Sequence, residues 1–117
     1  MQKDIRITVV TVAFNAREAL ETTIRSVAGQ DYANLEYIVI DGGSADGSLE
    51  VIKRHAADIT RWVSEPDRGI YDAMNKGVAM ATGDYCIFMN AGDTFVAPDT
   101  VNTVVAGMER GDDVVYG

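Results

Sequence analysis

The sequence predicts an α/β domain, a three-layer α/β/α fold with a mainly parallel sheet. Three observations carry this. Short runs rich in β-branched and aromatic residues alternate with stretches of helical period along the chain, the pattern of successive βαβ units. The run YCIFM at 85–89 is continuously apolar, as in a strand buried on both faces. Polar loops follow three of the runs, beginning at Asn15, Asp41 and Asn90; ligands of open α/β sheets bind at such carboxyl ends.

Each element follows in order. Residues 5–14 (IRITVVTVAF) are dominated by β-branched side chains and read as a central strand. Asn15 is the expected N-cap of a helix over 17–30, where Leu20, Ile24 and Val27 share one face. Residues 30–34 form a loop, and 35–41 (LEYIVID) a second strand. Ser48 is expected to cap a helix over 49–57, and 60–65 (TRWVSE) form a third strand with Trp62 in the core. Ile70, Met74, Val78 and Ala81 recur at helical steps, and Gly83 reads as the glycine closing that helix. After the strand at 85–89, Ala97, Pro98 and Asp99 open a fourth helix with Val101, Val104, Val105 and Met108 on its apolar face; Gly111 closes it, and 113–116 (DVVY) begin a fifth strand.

A chain of 117 residues is one domain, with 47% apolar and 24% charged residues, an ordinary globular composition. The net charge of −8 disfavours a nucleic-acid partner and gives no general attraction to anionic lipid. An acidic protein that binds an anion needs a local device, such as a metal ion or a helix N-terminus. The single cysteine, Cys86, reads as a buried small hydrophobe, and His55 as a lone exposed histidine. The N-terminus has no apolar stretch long enough for a signal peptide or membrane span, so a cytoplasmic location is the default.

The loops carry the candidate chemistry. Asp41, followed by two glycines, can accept hydrogen bonds from a base or a ribose. Asp93 is the candidate for Mn²⁺ or Mg²⁺, which binds through one or two carboxylates plus substrate phosphates; Asn90-Ala91-Gly92-Asp93 read alone is equally a turn. Arg68 could meet a phosphate bidentately, against the plainer reading of a solvated surface residue. Asn75 and Lys76, near the middle of the third helix, hint weakly at a role. Neither a Gly-x-Gly-x-x-Gly fingerprint nor a Gly-Lys phosphate loop is present.

TVVTVAFN, YIVIDGGSADGS and EPDRGIYDAMNKGVAMATGDYCIFMNAGD, in that order and spacing, resemble the inverting glycosyltransferases of family 2, over nearly the whole chain. The resemblance implies the GT-A fold, which is Rossmann-like, and the Asp-Arg-Gly-Ile-Tyr-Asp-Ala-Met-Asn variant is similar to enzymes of bacterial surface-polysaccharide synthesis. It implies a nucleotide-diphosphate sugar as donor, a UDP-sugar in the first instance, and a glycan or lipid-linked acceptor. Asp41 would hold the nucleobase, Thr11, Ala13 and Asn15 would line the nucleotide site, Asp67 and Arg68 would lie beside nucleotide or sugar, and Asp93 would coordinate the metal. The family's Asp-x-Asp is reduced here to Asn90, Gly92 and Asp93, leaving one carboxylate. A location at the inner face of the membrane, with peripheral association, is compatible with such an acceptor.

The end at Gly117 reads as the middle of a fold, so residues 1–117 are expected to be the nucleotide-sugar-binding portion, without the acceptor-binding half and its general base. The alternative is a non-catalytic nucleotide-binding or self-associating module. This chain alone is expected to turn over little or nothing; acceptor glycosylation by residues 1–117 in a radiolabel-transfer assay would overturn that expectation.

Overall fold

The computed structural model describes residues 5–109. Four parallel strands, β1 (Ile7–Ala13), β2 (Leu35–Asp41), β3 (Arg61–Ser64) and β4 (Tyr85–Asn90), form a sheet in the order β3-β2-β1-β4. Helices α1 (Arg17–Ala28), α2 (Ser48–Arg54), α3 (Ile70–Met80) and α4 (Thr100–Glu109) connect them, with a 3₁₀ turn at Ala56–Asp58. The expected fifth strand at 113–116 lies outside the described residues.

Two cores sandwich the sheet. On one face Ile7, Val9, Tyr37, Val39, Ile87 and Met89 pack against Leu20, Ile24 and Val27 of α1, Val51 and Ile52 of α2, and Val101 and Val105 of α4. On the other, Val10, Val12, Ile38 and Ile40 meet α3 through Ala73, with Met74 and Met80 partly buried beside it. Successive strand residues alternate between these faces, so the three-layer α/β/α prediction holds.

The strands buried on both faces are β1 and β2, not β4. β4 has a partner on one side only among the described residues, and its burial is correspondingly partial. Cys86 is therefore exposed rather than buried. What burial its thiol has, and the Glu36 charge, push its pKa up, which keeps it a poor nucleophile. Trp62, on the edge strand β3, is 37% exposed rather than in the core.

The third helix lies in a different rotation from the one its apolar spacing suggests. Ala73 and Gly77 face the sheet, while Ile70 and Val78 are half exposed. Size decides this: a Cβ on Gly77 would stand 2.4 Å from Cγ1 of Val10, so only the two small residues let α3 lie this close. The helix ends at Met80, with Ala81 already extended, and Gly83 is not its closing glycine. Gly83 instead passes against β1, its N–H donating to Thr8 Oγ1 at 2.9 Å, where a Cβ would meet Thr8 N at 2.8 Å.

Two polar clusters stitch elements together. His55 is no solitary surface histidine: its Nε2 lies 3.0 Å from Glu21 Oε2, beside Arg54 at 3.0 Å, joining the end of α2 to α1. At the amino end of β2, Glu36 is 1% exposed. It accepts from Thr8 Oγ1 (2.8 Å), Thr82 N (2.8 Å) and Thr82 Oγ1 (2.9 Å), with Arg6 at 3.5 Å. Burial raises the Glu36 pKa, but these hydrogen bonds and the arginine outweigh it and hold the carboxyl below its ordinary value.

A folded pKa below the unfolded one means that the contribution of Glu36 to stability is complete above the unfolded value and is lost as pH falls through the folded one. Glu36→Ala is expected to cost about 3 kcal/mol, because it orphans the Thr8 and Thr82 donors. Urea denaturation at pH 7 and at pH 3 checks both points: the wild-type advantage over the variant should shrink at the lower pH.

Candidate functional site

Chain order reverses direction in the sheet between β1 and β4, since β1, β2 and β3 run one way and β4 lies on the other side of β1. The crevice outside the carboxyl ends at such a switch is where open α/β sheets bind ligands. A cleft of 520 Å³ opens there. Val12, Ala13 and Phe14 at the end of β1 form one wall, with Gly42 past β2; Asp67, Gly69, Ile70 and Ala73 form another, and Asn90 and Ala91 close the β4 side.

Of the residues expected at the site, Ala13 and Asp67 line the cleft. Asp67 Oδ1 accepts from Gly69 N at 3.0 Å, and Oδ2 lies 2.9 Å from where a Cβ on residue 42 would be. Arg68 is exposed, its backbone N–H donating to Asp72 at 2.9 Å; among the described residues no ion pair holds its guanidinium. Lys76 is tied to the same loop, 3.2 Å from Glu65 and 3.3 Å from the Pro66 carbonyl, while Asn75 is simply exposed.

Asp41 stands at the expected strand end but is fully buried, and its carboxylate is engaged. It accepts from Ser44 N (2.9 Å), Ser44 Oγ (2.5 Å) and Ser64 Oγ (2.9 Å). Thr11 stands apart from the cleft lining, buried, with its hydroxyl 2.8 Å from the Tyr37 phenol. Burial pushes that phenol's pKa well up, so the pair stays neutral.

Asn15 does not cap α1; the N-cap position is Ala16 and makes no side-chain bond. Asn15 adopts φ 48°, a left-handed conformation that asparagine tolerates better than most residues. Its Oδ1 accepts from Ala45 N at 2.9 Å and its N–H donates to Ser44 Oγ at 2.7 Å, so it binds the loop after β1 to the loop after β2. Ser48 likewise caps nothing. It donates from N and Oγ to Asp46 Oδ1 at 3.1 and 2.6 Å, while Asp46 Oδ2 accepts from Arg17 N at 3.1 Å. The Ser48 hydroxyl is the main reason the Asp46 pKa is lowered.

The segment 90–93 is both a turn and a candidate ligand site. Asp93 N donates to Asn90 O at 2.9 Å, and Gly92 has φ 106°, the geometry a type II turn demands of its third residue. Asp93 Oδ2 accepts from Asn90 N at 2.9 Å, and the carboxylate is exposed. Thr23 of α1 seats this turn, its Oγ1 accepting from Gly92 N (2.8 Å) and donating to Asp93 O (2.7 Å). The signal for Thr23 was a hydroxyl among the apolar positions 20, 24 and 27. Phe14, 64% exposed on the cleft wall, was also missed, because it reads as the last apolar residue of a strand.

Residues 8–117 match the family model for glycosyl transferase family 2, and the chain belongs to that family. It has the α/β fold of the GT-A glycosyltransferases. An uncharacterised glycosyltransferase of Mycobacterium tuberculosis is 41% identical over 103 residues, covering 87% of this chain and 39% of the relative. The amylovoran biosynthesis glycosyltransferase of Erwinia amylovora is 38% identical over 96 residues, covering 78% and 32%. A mannosyltransferase from Pyrobaculum calidifontis, solved in complex with GDP-Man and Mn²⁺, superposes with a TM-score of 0.81 at 29% identity, over 88% of this chain and 32% of that one. The chain thus spans about two fifths or less of the length of these proteins. Among the described residues no helix is long and apolar enough to cross a membrane.

The hydrogen bonds at Asp41 make it a strut. Asp41→Ala is expected to lower stability by about 3 kcal/mol, a fall in Tm of roughly 10 °C or more followed by circular dichroism. A variant with wild-type Tm that had lost nucleotide binding would return Asp41 to the ligand side.

Proposed function

We propose that this chain is the nucleotide-sugar-binding portion of an inverting glycosyltransferase, which moves a sugar from a nucleotide-diphosphate donor to a hydroxyl acceptor in bacterial polysaccharide or glycan synthesis. The observation that carries the reading is the cleft at the β1–β4 switch, with Asp67 on one wall and the turn bearing Asp93 just past β4. Family membership and the amylovoran relative support the reaction and the pathway class. The nucleoside diphosphate is UDP in the first instance, and the GDP-Man held by the Pyrobaculum enzyme makes guanine the second base to test. In this reading the acceptor is a glycan or a lipid-linked saccharide and the reaction is cytoplasmic, with a lipid-linked acceptor met at the inner membrane face.

The donor set fits a divalent cation that takes most of its ligands from substrate and water. Among the described residues no group of three His, Cys, Asp or Glu side chains could cage an ion. Asp93 offers one exposed carboxylate, which suits Mn²⁺ or Mg²⁺ completing its shell with diphosphate oxygens and water. Such an ion, when bound, would supply Lewis-acid stabilisation of charge on the diphosphate. Asn90 offers an amide where a second carboxylate would otherwise help. The base that takes the acceptor proton belongs, in this reading, to the length of the relatives that the chain does not span.

Calorimetric titration of UDP, UDP-sugars and GDP into the chain, with and without Mn²⁺, tests this. Mn²⁺-dependent binding is expected, weakened at least about tenfold in Asp93→Ala, as for loss of a charged contact. A folded chain that binds none of these nucleotides in either condition overturns the reading.

A further inference from the structure

We propose that Thr23 is a positioning residue for the cation end of the donor site: its hydroxyl fixes where the Asp93 carboxylate stands before any ligand arrives. The proposal rests on the donor-site reading above, in which Asp93 is the ion's protein ligand. It adds a dependence on a residue that lines no part of the cleft. Three observations carry it.

First, α1 carries the segment that follows β4. Ala91 N still donates to Val12 O of β1 at 3.1 Å. Beyond it the segment leans on a polar stripe of α1 and the residues just past it. Gly92 N and Asp93 O bond Thr23, Phe95 N donates to Ser26 Oγ at 2.7 Å, and the Gln30 side chain bonds Ala97 O and Val101 N at 2.7 and 2.9 Å. Positions 23, 26 and 30, at steps of three and four, share one helical face. Secondly, Thr23 uses its hydroxyl in an uncommon way. A threonine inside a helix often bonds the carbonyl four residues back, as Thr22 does with Glu18 O at 3.2 Å. Thr23, fully buried, instead accepts from Gly92 N at 2.8 Å and donates to Asp93 O at 2.7 Å. One oxygen thus holds the backbone before and after the Asp93 Cα. Thirdly, the turn's own bonds set its shape and not its place. Asp93 N donates to Asn90 O, and Asp93 Oδ2 accepts from Asn90 N, both at 2.9 Å and both within 90–93. Past the strand, the turn's hydrogen bonds to other elements are, among the described residues, those of Ala91 N and the Thr23 hydroxyl.

A site with one carboxylate depends on its placement more than a cage does. Among the described residues no group of three His, Cys, Asp or Glu side chains could hold an ion, so no caged set shares the task with Asp93. Mg²⁺ demands near-ideal octahedral geometry, and a carboxylate already in place avoids an ordering cost at binding. A hydroxyl both accepts and donates, which is what Gly92 N–H and Asp93 C=O together require. Valine at 23 keeps the branched shape and does neither, leaving the turn tied through Ala91 alone. Serine restores the hydroxyl. Ser26 is the matched control: it holds Phe95, two residues past Asp93, and has no hydrogen bond to 90–93 among the described residues.

The test is calorimetric titration of UDP and GDP, with and without Mn²⁺, into wild type, Thr23→Val, Thr23→Ser, Ser26→Ala, Asp93→Ala and the Thr23→Val, Asp93→Ala double variant, each with its Tm. The quantity read is the gain in nucleotide affinity that Mn²⁺ confers. It is expected to fall about three- to tenfold in Thr23→Val, with the Mn²⁺-free affinity unchanged, and to return in Thr23→Ser. Ser26→Ala should lower Tm and leave the gain as it is. In the Asp93→Ala background Thr23→Val should remove no further gain, because the two residues act as a unit. Amide hydrogen exchange on wild type reads the same point without any variant: Gly92 N–H should be protected in the ligand-free chain. A full Mn²⁺ gain in Thr23→Val, an equal loss with and without Mn²⁺, or a Gly92 amide that exchanges freely in the ligand-free chain would overturn the role of Thr23 and leave the donor-site reading standing. Nucleotide binding by folded wild type with no Mn²⁺ gain would overturn the Asp93 assignment and this proposal with it, and no nucleotide binding at all would overturn the donor-site reading as well.

Discussion

A carboxylate taken out of water stays charged only where hydrogen bonds or cations replace the water, and that requirement organises the functional edge of this domain. Asp41 ends β2 inside the protein, and its oxygens are satisfied by Ser44, from the following loop, and Ser64, from the end of β3. Ser44 is in turn the acceptor for Asn15, which leads out of β1. Three strand ends are thereby held at one depth, and the cleft between them has a shape before any ligand arrives. Pre-formed geometry of this kind reduces the ordering cost of binding.

The opposite end of the same strand repeats the device. Glu36 is buried at the amino end of β2 and is satisfied by Thr8 and Thr82, with Arg6 at the margin. The two carboxylates are five residues apart in sequence, roughly 16 Å along a strand, and each is satisfied by its own set of hydrogen bonds. One anchors the loop between α3 and β4, the other the loops around the cleft. In a chain of net charge −8, negative charge is thus partly structural, while Asp67 keeps a carboxylate on the cleft wall and Asp93 an exposed one on the turn past β4.

Strand positions were legible in the sequence because β-branched runs in β1 and β2 have few other uses; β2 spans the residues its pattern predicts. The helical faces of α1 and α4 were equally clear, since Leu20, Ile24 and Val27, and Val101, Val104 and Val105, are buried as their spacing requires. The rotation of α3 was not, because periodicity weights large apolar residues and the contact is made by Ala73 and Gly77. Burial of β4 was over-read for a related reason: an apolar run does not reveal how many neighbours a strand has. Within the site, residue types at the strand ends were visible, but which carboxylate faces inward and which faces the cleft depends on Ser44, Ser64 and the missing side chain at 42. Serine and glycine are ordinary loop residues, so nothing local marked those positions.

The close seat of α3 on β1 has a consequence for the cleft. Gly77 lets the helix rest against Val10, and the same helix supplies Ile70 and Ala73 to the wall of the binding space. The width of that space is therefore governed by a thickness one to two helical turns away, like a shim under one jaw of a clamp. A larger residue at 77 acts as a wedge on the jaw without touching anything held in it. Attempts to retune the cavity for a bulkier or slimmer ligand have a handle there that a search confined to the lining residues would overlook.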